Sequence, residues 1–159
     1  MKIFRVKALN GGIRGLENRL KQIKAHIVIG ILASAGEHNK GTNGQTVAEI
    51  GFWNEFGTPN AKYPIPARPW LRTTIANNIE KYTYVLKKSL LDYLIGKQKS
   101  VSKVFSTVGL IAASDVKKAI VDLKYPENAP STIAQKGSSN PLIDTGQLRQ
   151  SVTWEYRPN

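Results

Sequence analysis

The 159-residue sequence has no cysteine. That excludes disulfide frameworks, thiolate nucleophiles and thiolate zinc sites, and an oxidising compartment is unnecessary for stability. Histidine occurs twice: His26 opens an apolar run and His38 lies in a glycine-rich stretch with Glu37 beside it. Neither has the neighbours that a metal centre or a catalytic triad requires. Gly11, Gly12 and Gly15 lack the following Gly-Lys-Ser/Thr of a triphosphate-binding loop, so no NTPase is expected. Apolar runs are short, none approaching the roughly 20 residues needed to cross a bilayer. The N-terminus is interrupted by Lys2, Arg5 and Lys7, which excludes the apolar stretch of a signal peptide. These absences lead us to expect a soluble, unprocessed protein that folds in the cytosol and has no membrane partner. Acidic residues are also few, and Glu49, Glu55 and Asp144, the carboxylates nearest the unusual segments, share no common helix face. Acid-base or metal-assisted hydrolysis needs such mutual geometry, so neither an enzyme nor a cofactor is expected.

What is present fits one domain over residues 1–159, a length at which about two-thirds of the unfolded surface can be buried. Ile13, Leu16, Leu20 and Ile23 recur at helical spacing. The run from His26 to Ala33 is short and β-branched, as a buried strand is. Residues 34–45, rich in Gly, Asn and Ser, predict a mobile loop. Over residues 46–56, Val47, Ile50 and Trp53 fit period three while the aromatics suit a sheet; a strand followed by a short turn is the preferred reading. Pro59, Pro64, Pro66 and Pro69 then stiffen the chain.

Pro69 stands where a first-turn proline belongs, ahead of Leu71, Ile75, Ile79, Tyr82, Leu86, Leu90 and Tyr93. This predicts one long amphipathic helix ending near Gly96. A second helix over about 101–123 buries Val104, Val108, Ile111, Ala112, Ala119 and Leu123, and packs antiparallel to the first. Residues 125–141, rich in Pro, Ser and Asn, predict an extended arm. Asp144 can N-cap a short turn through Gln147 and Leu148, and Val152, Trp154 and Tyr156 alternate with polar residues as a half-buried strand does. The expected class is α+β: a small, mainly antiparallel sheet against a long amphipathic helix and a second antiparallel helix.

Twenty-three basic against eleven acidic side chains give a formal charge of +12, which attracts polyanions. The cations are scattered, never more than two adjacent, so a solvated surface or an acidic protein partner competes with a DNA-binding face. Trp53, Phe56 and Trp70 flank the proline-rich turn and either cap the core or anchor an interface. Glu55 or Asp144 is expected to pair with Arg68 or Arg72, since guanidinium suits bidentate carboxylate contacts.

The stretch VAEIGFWNEFGTPNAKYPIPARPWLRTT, residues 47 to 74, resembles the neck and tail-completion proteins of tailed phages, of the HK97-like and Mu-type virion morphogenesis families. The matching positions are Trp53, Asn54, Glu55, Phe56, Gly57 and Thr58, then Ile65, Pro66, Ala67, Arg68, Pro69, Trp70, Leu71 and Arg72. PLIDTGQLRQSVTWEY, residues 141 to 156, is similar to the Pro-Leu-Ile-Asp-Thr-Gly-x-Leu ending of the same proteins, here including Asp144, Thr145 and Gly146. The two motifs cover about a quarter of the chain; the loop at 34–45 departs from the pattern. The resemblance implies a small sheet beside a long helix, and assembly with copies of itself into a ring, sixfold, on the DNA path between head and tail. Adjacent head-connector and tail proteins would be its partners, with non-specific contact to passing DNA, and it would reside in the virion after assembly in the host cytoplasm. A tail terminator ring and a basic DNA-binding module are the alternatives.

Overall fold

The structure, a computed structural model, describes residues 12–21, 23–32, 35–36 and 44–158. In chain order the elements are α1 (Gly12–Lys21), β1 (Ala25–Ile31), α2 (Val47–Phe56), α3 (Arg72–Asn77), α4 (Ile79–Leu94), α5 (Val101–Asp122), α6 (Pro130–Lys136), α7 (Gln147–Ser151) and β2 (Val152–Pro158). The class is α+β. Most of the loop expected at 34–45 lies outside the described residues.

The apolar run at Ala25–Ile31 pairs antiparallel with the C-terminal strand, in a register that sets Ile27 opposite Tyr156, Ile29 opposite Trp154 and Ile31 opposite Val152. The alternation along β2 therefore turns Val152, Trp154 and Tyr156 inward, as the period of two predicts. This ribbon packs on α5, whose inner face buries Val104, Val108, Ala112, Val116 and Ile120. Helix α4 lies antiparallel on the same helix: Tyr82 joins Val108 and Ala112, and Tyr93 joins Val104 and Phe105. A two-stranded ribbon alone is marginal in water, so the long helix stabilises the sheet.

Four local expectations are corrected. Residues 47–56 form a helix, not a strand and turn. Thr46 and Glu49 make a capping box, the Thr46 hydroxyl accepting the Glu49 N–H at 3.2 Å and the Glu49 carboxylate accepting the Thr46 N–H at 2.8 Å. The single long helix is two, broken at Asn78, whose φ of −111° and ψ of 11° leave the helical region. The Asn78 side chain donates to the Thr74 carbonyl at 2.9 Å, offering the backbone an alternative to the helical ladder. Pro69 precedes the first of these helices, with Leu71 at its N-cap.

The expected arm at 125–141 is tied down. It contains α6, started by Pro130 and ended by Gly137 at φ +70°, and Asn140 fastens it by donating to the Val121 carbonyl at 2.8 Å. Finally, Gly146 and not Asp144 occupies the N-cap of α7, at φ +79°; the Thr145 hydroxyl accepts the Gln147 N–H at 3.3 Å.

Candidate assembly surface

The first motif folds into a clasp between α2 and α3. Gly57 follows α2 at φ +77°, and a Cβ there would stand 2.8 Å from the Ile65 carbonyl oxygen and 2.9 Å from the Ala67 nitrogen, both backbone atoms. Only glycine combines that φ with that approach. Thr58 and Ile65 then close the proline-rich loop, the Thr58 N–H donating to the Ile65 carbonyl at 2.9 Å and the Ile65 N–H to the Thr58 hydroxyl at 2.8 Å.

Glu55 is 4% exposed and accepts the backbone N–H groups of Leu71 at 2.8 Å and Arg72 at 3.0 Å. It caps α3 from another helix, placing negative charge where the free N–H groups point. Arg72 Nε lies 3.5 Å from the same carboxylate, so one expected carboxylate–guanidinium pair is present.

Arg68 takes another course. It is 3% exposed, and its guanidinium donates to the Pro126 carbonyl at 2.7 Å, the Glu127 carbonyl at 3.0 Å and the Asn128 side-chain oxygen at 3.1 Å. Its backbone N–H donates to the Asn54 carbonyl at 2.6 Å. The expected pairing of Arg68 with Glu55 or Asp144 is replaced by carbonyl acceptors, because the segment after α5 folds back over Arg68 while the Glu55 carboxylate is taken up by the start of α3. Burial lowers the Arg68 pKa, while these acceptors hold its charge in place.

Trp70 is core, packed with Val47, Val116, Leu142 and Leu148, and its indole N–H donates to the Gly51 carbonyl at 3.3 Å. Leu142 and Leu148 belong to the second motif. The two motifs, far apart in the chain, therefore meet: Asn54, Ile65 and Arg68 on one side and Asp144, Thr145 and Gly146 on the other line a single cleft of about 400 Å³. Trp53 and Pro69 are half-buried beside the clasp.

Phe56 points outward, and so does Phe52, which the motif reading passed over. They are 49% and 59% exposed, with ring centroids 4.7 Å apart, and the Arg72 guanidinium lies 5.0 Å from the Phe56 centroid. A groove of about 170 Å³ lies beside them, lined by Ile31, Ala48, Phe52, Phe56, Trp70 and Leu71. The signal was legible: VAEIGFWNEF carries apolar residues on every side of a helix, whereas its own chain buries only the Val47, Gly51 and Glu55 side. A second exposed apolar row, Tyr84, Leu91 and Ile95, runs along α4 at spacings of seven and four.

Among the described residues, no three His, Asp or Glu side chains come together, and no helix is long and apolar enough to cross a membrane. Compared with known proteins, the chain matches no protein-family model, no curated protein and no solved structure.

Proposed function

We propose that this chain is a structural subunit of a tailed-phage virion, assembling with copies of itself into a ring at the neck or head-proximal end of the tail, where it joins head to tail or completes the tail. The observation that carries the self-assembly reading is the uncovered face of α2. A helix apolar all round is normally buried all round, and here Phe52, Phe56 and the groove beside them are left open. A ring made head to tail needs two different patches on each subunit. The α2 patch and the Tyr84, Leu91 and Ile95 row of α4 are two such patches, with Arg72 at the edge of the first.

The virion placement is supported by the resemblance of the two motifs and by their meeting at one cleft. In this reading the motif is the brace that holds α2 in place, and contact falls to its outward neighbours. Function is binding without turnover: burial of apolar area between copies stabilises the ring.

Analytical ultracentrifugation of the wild-type chain tests the self-assembly. A closed oligomer is expected, and Phe52→Ser with Phe56→Ser should give a monomer with an unchanged circular dichroism spectrum. A wild-type monomer at every concentration sinks the ring. For the placement, particles from a phage whose gene is stopped early should show filled heads apart from tails. Tails of abnormal length would instead make it a terminator, and normal virions would remove it from the particle.

A further inference from the structure

One face of α5 points away from both α4 and the sheet. It carries Lys103, Thr107, Leu110, Ser114, Lys117 and Lys118, which helical geometry gathers into one stripe. Lys103 to Lys118 spans about 22 Å of helix axis at ~1.5 Å per residue. At the C-terminal end α7 brings Arg149 and Gln150 alongside, forming a shallow groove of about 450 Å³ with Ser114, Lys117 and Lys118. Lys118 holds Asp122, one turn on, the one acidic side chain lining that groove. Neither Lys117 nor Arg149 has an ion-pair partner among the described residues. Three other acids are paired with cations outside the groove: Asp115 with Lys81, Asp92 with Lys97, Glu155 with Arg157. With three cations against the single carboxylate of Asp122, the α5 and α7 groove carries a surplus of positive charge.

We infer that this groove binds the phosphate backbone of duplex nucleic acid without reading its sequence. The side-chain set suits that ligand. Lys and Arg supply charge, while Ser114, Thr107 and Gln150 are of the hydroxyl and amide types that contact phosphate and sugar oxygens. The groove has no aromatic on which an unpaired base could stack, which disfavours single strands. It also lacks the Trp or Tyr anchors that dominate protein interfaces; Val121 is the one apolar side chain lining it, and Leu110 lies further along the stripe. A duplex presents about one charge per 1.7 Å of its axis, so a row of cations on a straight helix can neutralise several phosphates without a specific base. This inference does not rest on the ring, since the groove is complete within one chain.

The test is fluorescence anisotropy of a labelled random-sequence DNA duplex, titrated with the full chain at several salt concentrations. Lys117→Glu with Arg149→Glu is compared with Lys87→Glu with Lys88→Glu, an equal charge change on exposed positions of α4. The groove variant should lose at least about tenfold in affinity and show a salt slope shallower by about two, the number of phosphate contacts removed. The α4 variant should lose much less and keep the slope. Equal losses for the two variants would mean a diffuse field and overturn the site. So would absence of wild-type binding at low salt, or competition by poly-glutamate as effective as by unlabelled duplex, which would mark the groove as a seat for an acidic protein.

Discussion

The indole of Trp154 lies against the backbone of Gly109, so closely that a Cβ on residue 109 would stand 2.4 Å from its Cδ2 and 2.5 Å from its Cε3. Glycine inside a helix costs about 1 kcal/mol relative to alanine, yet here it lets α5 and β2 approach. Gly109→Ala should therefore destabilise the protein despite its better helix propensity, by about 1–3 kcal/mol in urea unfolding, the usual penalty of overpacking. Trp154→Phe placed on top should recover part of the loss. A stabilised Gly109→Ala protein would show that the ribbon shifts freely over the helix.

Glu55 and Arg72 form an ion pair at 3.5 Å, but Arg72 is 54% exposed at its side chain and the pair is screened. The two backbone N–H groups are the larger partner. Glu55→Ala should cost about 1–2 kcal/mol, removing the acceptor of two N–H groups at a half-buried helix start. Arg72→Ala should cost less than ~1 kcal/mol. In a double-mutant cycle by thermal melting the coupling between the two should be small. A coupling as large as the Glu55→Ala loss would transfer the role to the ion pair.

Arg68 reaches three acceptors on the segment after α5 with one planar fork. Lysine has no such fork, so Arg68→Lys should lose about 2–4 kcal/mol and loosen residues 126–128, visible as faster amide exchange there. Charge reversal at Arg68 should lower virion yield more than loss of any single lysine. The cause would be failed folding and not a lost contact between subunits, and a soluble, fully folded reversal variant would exclude that cause.

Tyr82 donates its phenolic hydrogen to Asp115 at 3.0 Å, and burial followed by that hydrogen bond and the carboxylate charge raises its pKa well above the usual value. A raised folded pKa means that the unfolded chain loses this proton first. The contribution to stability is therefore complete below pH of about 10 and declines as the pH rises through the folded value. In ultraviolet titration Tyr82 should ionise only together with unfolding, and a Tyr82→Phe protein should lack that late step. Tyr82→Phe should cost about 1 kcal/mol at neutral pH and remove that component of the alkaline decline.

By itself the sequence determined the elements whose pattern is local and periodic. The apolar spacing of α5 and of α4 beyond Ile79, which is exposed, names the packed face of each helix, and the β-branched run of β1 and the alternation of Val152, Trp154 and Tyr156 name two strands, β1 half-buried where a buried strand is expected. The capping box of Thr46 and Glu49 is equally local, and it outweighs the sheet preference of the aromatics in making residues 47–56 a helix. Other features were decided by tertiary structure. Which partner Arg68 takes depends on how the segment after α5 folds back, and whether Phe56 or Trp70 is core depends on which side of α2 meets Val116 and Leu148. The grouping of Lys117 and Lys118 with Arg149 depends on α7 docking beside α5. Such contacts join residues far apart in the chain, and no local spacing encodes them; packing chooses among partners that the sequence leaves equivalent.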